Sequence, residues 1–156
     1  MQAGAQVTTK FGDVVNTLDG IMKAYYVVAV KKGGKVSYQL DSCLHIKNPG
    51  IGILQIGKDG KPVMHYMTLK EYHKKVDGQL EKDGFDEKEI SRKVEHFGNM
   101  YHVWSTYESR NEAGGPVIER GINSVELYFD GARFWITGWT FDSERKDNPL
   151  PKEYLQ

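Results

Sequence analysis

Five histidines, a single cysteine and a scatter of carboxylates and tyrosines are the groups of this chain able to move protons or hold a metal. His96 and His102 flank Gly98-Asn99, a tight-turn dipeptide. If their imidazoles meet across that hairpin with Glu95 or Glu108 beside them, the result is a metal site or a proton shuttle. Spacing argues against the metal, because no H-x-H or H-x-x-x-H pair is present. We therefore expect no metal and no cofactor. Cys43 has no activating cluster beyond His45, so it reads as a structural thiol rather than a nucleophile. A lone cysteine also permits no intramolecular disulfide.

The elements that must position such groups follow from periodicity. Val14, Leu18, Ile21, Met22, Tyr25 and Ala29 recur at helical spacing and predict an amphipathic helix from about residue 8 to 30, ended by Lys31-Lys32-Gly33-Gly34. In SYQLDSCLHIKNPGIGILQIG a short helical turn leads into an irregular strand broken at Asn48-Pro49-Gly50, and KDGKP is a turn between two short strands. Thr68 and Glu71 form a capping box, with Met67 and Tyr72 placed as a hydrophobic staple. The helix they open has an inner stripe of Leu69, Tyr72, His73, Val76 and Leu80 and stops at Gly84. From Glu87 to Phe97 a strand places Ile90, Val94 and His96 on one face. Three longer strands follow, NMYHVWSTYESR, VIERGINSVELYFDG and ARFWITGWTF, rich in aromatics and holding all three tryptophans. We read an α+β domain spanning 1–156, a strongly curved antiparallel sheet whose open side is closed by helices.

Composition bounds the function. Apolar residues make up 39% of the chain and charged ones 27%, as in ordinary globular domains, and the longest apolar run, Ala24 to Val30, is far short of a membrane helix. Net charge is zero, which argues against nucleic acid or an anionic membrane as partner. Residues 1–70 carry nine Lys or Arg against four Asp or Glu, and residues 71–156 carry twelve against seventeen. In one domain these excesses compensate on a shared surface. The start MQAGAQVTTKF lacks the basic residues and apolar stretch of a signal peptide, so the expected location is cytoplasmic. Were the chain a processed mature form, QAGAQ would be what cleavage leaves, and an exported, periplasmic protein would follow.

The segments GNMYHVWSTYESR, RGINSVELYFDGARFWITGW and DNPLPKEYL resemble the nuclear transport factor 2-like superfamily, close to its SnoaL-like bacterial members, over about Val14 to Leu155. The resemblance implies a cystatin-like, conical sheet around a pocket and a homodimer through the outer sheet face. It underdetermines activity, because the fold hosts isomerases, cyclases, dehydratases and transport adaptors. The family's ketosteroid isomerases use a carboxylate base on the early irregular strand and an oxyanion hole with a protonated Asp. Those positions fall at Asn48 and Val125, which can neither take nor donate the proton. Asp41 is the nearest carboxylate able to substitute.

With Val125 inward as the resemblance implies, alternation turns Asn123, Leu127, Val103, Ser105, Tyr107, Thr137, Trp139 and Phe141 inward as well, with Tyr25 reaching in from the first helix. The expected ligand-binding set is Tyr25, Asn48, Val103, Ser105, Tyr107, Asn123, Val125, Trp139 and Phe141. Such a lining suits a small, mostly hydrophobic molecule, and the same set also describes a plain filled core. The outer face would carry His102, Trp104, Thr106, Glu108, Ser124, Glu126, Phe134 and Ile136, with Arg120 or Arg133 paired to Glu108 or Glu126 across a dimer contact. Three functions remain open: a dimeric binding domain; a cofactor-independent lyase or isomerase using Tyr107, His102 or Asp41 for proton transfer; and a protein adaptor acting through the sheet face.

Overall fold

A computed structural model describes residues 11–27 and 30–156. Six strands, β1 (His45–Ile56), β2 (Pro62–Met67), β3 (Asp86–Phe97), β4 (Met100–Arg110), β5 (Glu119–Phe129) and β6 (Phe134–Ser143), form one curved, unclosed sheet in the order β2-β1-β6-β5-β4-β3. The hairpins β1–β2, β3–β4, β4–β5 and β5–β6 are antiparallel, as expected, but β1 joins β6 in parallel. That pairing attaches the early hairpin to the later meander. It is intimate, for a Cβ built on Gly138 would lie 2.5 Å from the Gly50 carbonyl oxygen. Glycine is the residue type that lets these two backbones approach so closely.

Helix α3 (Leu69–Asp83) forms as the sequence predicts. The Thr68 hydroxyl accepts the Glu71 N–H at 3.2 Å and the Glu71 carboxylate accepts the Thr68 N–H at 2.8 Å, satisfying two amides the helix start leaves open. Gly84, at φ +82°, ends it. Leu69 and His73 are buried, so the predicted inner stripe faces the sheet.

The first helix is shorter than predicted. A 3-10 turn over Gly12–Asn16 precedes a break at Thr17, whose extended backbone and hydroxyl, 3.0 Å from the Gly20 N–H, cap helix α1 (Leu18–Tyr25). Helical spacing could not reveal that a side chain would stop the helix and restart it. Beyond α1, Val30 exchanges two 2.8 Å backbone hydrogen bonds with Phe85, which requires extended chain rather than helix. The predicted helical residues 8–10 and 28–29 lie outside the described residues. A short helix α2 (Tyr38–Ser42) supplies the predicted turn before β1.

Two parity assignments are corrected. The register of β5 against β6 shifts between Glu126 and Leu127, so Glu126 faces Gly138 while Leu127 faces Ile136. The extra residue, Thr137, inverts alternation on the amino-terminal side of β6. Phe134 and Ile136 therefore lie in the core, 6% and 0% exposed, and not on the outer face beside Trp104. Thr137 spends its hydroxyl on the Glu126 carbonyl. On β3 the register shifts between Glu89 and Ser91, so Ile90 is an extra residue in the alternation expected to put it on one face with Val94 and His96, and both Ile90 and Val94 are exposed. Among the described residues no helix is long and apolar enough to cross a membrane.

Candidate functional site

Curvature of the sheet leaves a concave face that α1, α2 and α3 cover incompletely, and a pocket of about 220 Å³ remains between them. Its walls come from every layer. Tyr25 and Tyr26 end α1, Tyr72, His73 and Val76 belong to α3, Glu87 begins β3, Tyr107 lies on β4, Glu119 and Asn123 on β5, and Trp139 and Phe141 on β6. The rings are mutually fixed. Tyr25 and Tyr72 stand at 71° and 89° to Trp139, with centroids 6.1 and 4.9 Å away, which is edge-to-face packing.

Trp139 also anchors a polar array. Its indole N–H donates to His45 Nε2 at 3.1 Å, so the His45 proton resides on Nδ1 and donates to the Asp41 carbonyl at 3.0 Å. Burial lowers the His45 pKa and favours this neutral form. The Asp41 carboxylate, only 10% exposed, then meets His73 Nε2 at 2.9 Å, while Asp77, one turn along α3, meets His73 Nδ1 at 2.9 Å. Burial opposes charge on His73, but hydrogen bonds to Asp41 and Asp77 prevail and raise its pKa. An imidazolium clamped between two carboxylates thus forms the helix side of the pocket.

The sheet side has a different character. Burial first, then the negative charge of Glu119, pushes the Glu87 pKa up to about 8, against a weaker lowering by the Asn123 side chain. Glu87 retains partial solvent contact on the pocket it lines. The Tyr107 hydroxyl donates to Glu119 at 2.9 Å. Behind this wall runs a directed chain: Asn123 Nδ2 donates to the Tyr26 hydroxyl (3.0 Å), Tyr26 to Ser105 (2.7 Å) and Ser105 to Glu89 (2.5 Å). Glu89 is held in turn by Arg92, which also reaches Asp19 of α1. The pocket therefore holds acid and base forms side by side near neutral pH, with the groups around them fixed by hydrogen bonds.

Of the predicted set, Tyr25, Tyr107, Asn123, Trp139 and Phe141 line this pocket. Ser105 is fully buried in the chain behind it, and Val103 and Val125 are packed core with no exposure. Asn48 is exposed in a separate depression beside Pro49 and Trp135, because the irregularity in β1 between His45 and Gly50 turns it away. Asp41 is in the site. His102 lies on the outer face against Ser124 and Trp104, and it does not meet His96: Glu95 pairs with His102 and His96 with Tyr101, so the two imidazoles are on opposite faces. Among the described residues no three His, Cys, Asp or Glu side chains gather to hold a metal ion.

The expected outer-face ion pairs are also redistributed. Arg120 pairs with Glu144 and Glu108 with Arg110, while Arg133 is buried, donating to the Cys43 carbonyl with its guanidinium 3.7 Å from the Trp135 ring centroid. The important omission of the sequence reading is Glu87 with Glu119. On an edge strand reading DEKEISRK, Glu87 carries no local mark separating it from its solvated neighbours; the nearest hint is its place beside Gly84 and Phe85, where the strand passes under α3.

Solved structures share this architecture. An NTF2-like protein of unknown function from Shewanella baltica OS155 superposes with a TM-score of 0.52 at 9% identity, over 81% of this chain and 90% of its own. One from Methylobacillus flagellatus KT gives 0.52 at 12% identity over 80% and 87%. A protein of unknown function with a cystatin-like fold from Nostoc punctiforme PCC 73102 gives 0.53 at 4% identity over 70% and 78%. The chain has the nuclear transport factor 2-like fold. No family model matches the sequence, and no curated protein matches it. In this NTF2-like fold the concave face of the sheet is where the aromatic and ionisable groups converge.

The ionisation of Glu87 makes a stability prediction. Its folded pKa lies above the ordinary 4.5, so between about pH 4.5 and 8 the folded protein keeps a proton that the unfolded chain releases. Folding stability attributable to this group falls across that window and is level above it. Glu87→Gln removes the cost, so its melting temperature should gain on the wild type from pH 5 to 8, by the equivalent of at least ~1 kcal/mol. Parallel melting curves would mean that Glu87 ionises like a solvated carboxylate.

Proposed function

We propose that the pocket binds a small, mostly hydrophobic molecule. The observation that carries this reading is the aromatic-walled space of about 220 Å³ into which a few hydrogen-bonding groups converge. Its volume lies below the roughly 300–1,000 Å³ of sites for drug-sized ligands, so the occupant is compact. Leu80 lines the pocket from α3, and Leu80→Trp fills it. Apolar fragments screened by ligand-observed NMR should bind the wild type, shift the Trp139 indole N–H resonance, and lose binding in Leu80→Trp at an unchanged melting temperature. A library in which no fragment moves that resonance would sink the proposal.

A second reading, the cofactor-independent lyase or isomerase chemistry implied by the SnoaL-like resemblance, draws support from one feature. Glu87, with its pKa about 8, and the His73 imidazolium held by Asp41 line the same space. In this reading ionised Glu87 is the general base and the His73–Asp41 pair returns the proton. Catalysed exchange of α-protons, followed by NMR on hydrophobic ketones in D₂O, should rise through about pH 8 and fall roughly 10²–10⁴-fold in Glu87→Gln. Exchange that is insensitive to Glu87→Gln removes it as the base.

The outer sheet face is proposed as a homodimer contact centred on Trp104, whose 37% exposure is high for a tryptophan on a sheet. Part of that face is covered by the carboxyl-terminal segment, where Thr106 donates to the Tyr154 carbonyl. Trp104→Glu should convert dimer to monomer in sedimentation; an unchanged assembly places any interface elsewhere.

A further inference from the structure

Charge distribution in the pocket narrows the ligand further. Among the described residues the lining holds four carboxylates, Asp41, Asp77, Glu87 and Glu119, one histidine, and no lysine or arginine. His73 touches two of these carboxylates, Asp77 and Asp41, so even as an imidazolium it leaves that cluster net negative. Glu87 and Glu119 have no cation among the lining groups. An anionic head group entering here meets like charge, and a cationic one meets its complement.

The rings add a second, independent observation. Tyr25 and Tyr72 both pack edge-to-face on Trp139, at 71° and 89°, and the three rings line the same pocket, where an aromatic face attracts an ammonium group. Tyr25 and Tyr72 are partly buried and line the pocket, and their hydroxyls make no hydrogen bond to another described residue. Each can accept a hydrogen bond from a guest in the pocket.

We infer that the ligand is a protonated amine on a small apolar body, its ammonium seated by Glu87 and Glu119 and its hydrocarbon part enclosed by Tyr25, Tyr72 and Trp139. This rests on the binding reading above. A bound cation favours ionised Glu87, so binding releases a proton from it below about pH 8. The groups facing Glu87 are Tyr25 and Tyr26 of α1, Asp41 of α2, Tyr72, His73 and Asp77 of α3, Tyr107 of β4, and Glu119 and Asn123 of β5. Of these, burial raises the tyrosines above their ordinary range, where they stay protonated.

Calorimetric titration with three matched probes tests the inference: 2-phenylethylammonium, neutral 2-phenylethanol and anionic phenylacetate. The ammonium should bind at least tenfold more tightly than the alcohol at pH 8, and phenylacetate more weakly than either. Its affinity should strengthen about tenfold from pH 6.5 to 8.5 in the wild type, with proton release visible as a buffer-dependent heat, and become flat in Glu87→Gln. If the alcohol binds as tightly as the ammonium, or the ammonium shows no pH dependence, the cation inference fails while the pocket reading stands. If none of the three binds, both fail.

Discussion

One hydrogen bond between distant parts of the chain organises the site. The Trp139 indole can donate and cannot accept, so the nitrogen it addresses on His45 must be bare. That choice assigns the His45 proton to the other nitrogen, which holds the backbone of α2 at Asp41 and so aims the Asp41 carboxylate at His73. The contact exists because β1 lies parallel to β6, with Ile51 opposite Trp139 and Gly50 opposite Gly138. Moving β1 by one residue would invert its alternation and part the indole from the imidazole. Tautomer, helix placement and pocket wall are thus settled by sheet register.

A second constraint is the cost of burying charge. On the helix side two carboxylates and an imidazolium satisfy one another, so the polar groups can be dry and still ionised. On the sheet side Glu87 and Glu119 have no cation among the lining groups, and proton uptake by Glu87 relieves first the cost of its own burial and then the repulsion from Glu119. The pocket therefore combines one cluster that carries a cation, His73 between Asp41 and Asp77, with one that carries none.

Much of this architecture is legible in the residues. Capping at Thr68, the stop at Gly84 and the long aromatic strands are local signals, and each appears where its chemistry places it. Alternation anchored on Val125 correctly turns Asn123, Tyr107, Trp139 and Phe141 toward the concave face. It fails at Phe134 and Ile136 because one extra residue, Thr137, resets the count, and an isolated bulge leaves no periodic trace. Asn48 fails for a similar reason, since the irregularity of β1 breaks the inference from strand position to orientation. Glu87 and Glu119 were invisible for another cause. Their chemistry comes from being brought together across strands with helices laid above them, which no local pattern encodes.

The bridge between Trp139 and His45 spans 94 residues of chain. Closing so long a loop is entropically expensive, and non-local pairing of this kind slows folding. During synthesis the hairpin β1–β2 emerges with its parallel edge unfilled and waits until the last strand has left the ribosome. Until then the apolar surfaces of β1 and α3 have no sheet to cover them, the kind of exposure that favours aggregation. The cleft is therefore complete only when β6, which carries Trp139 and Phe141, has paired with β1 and β5.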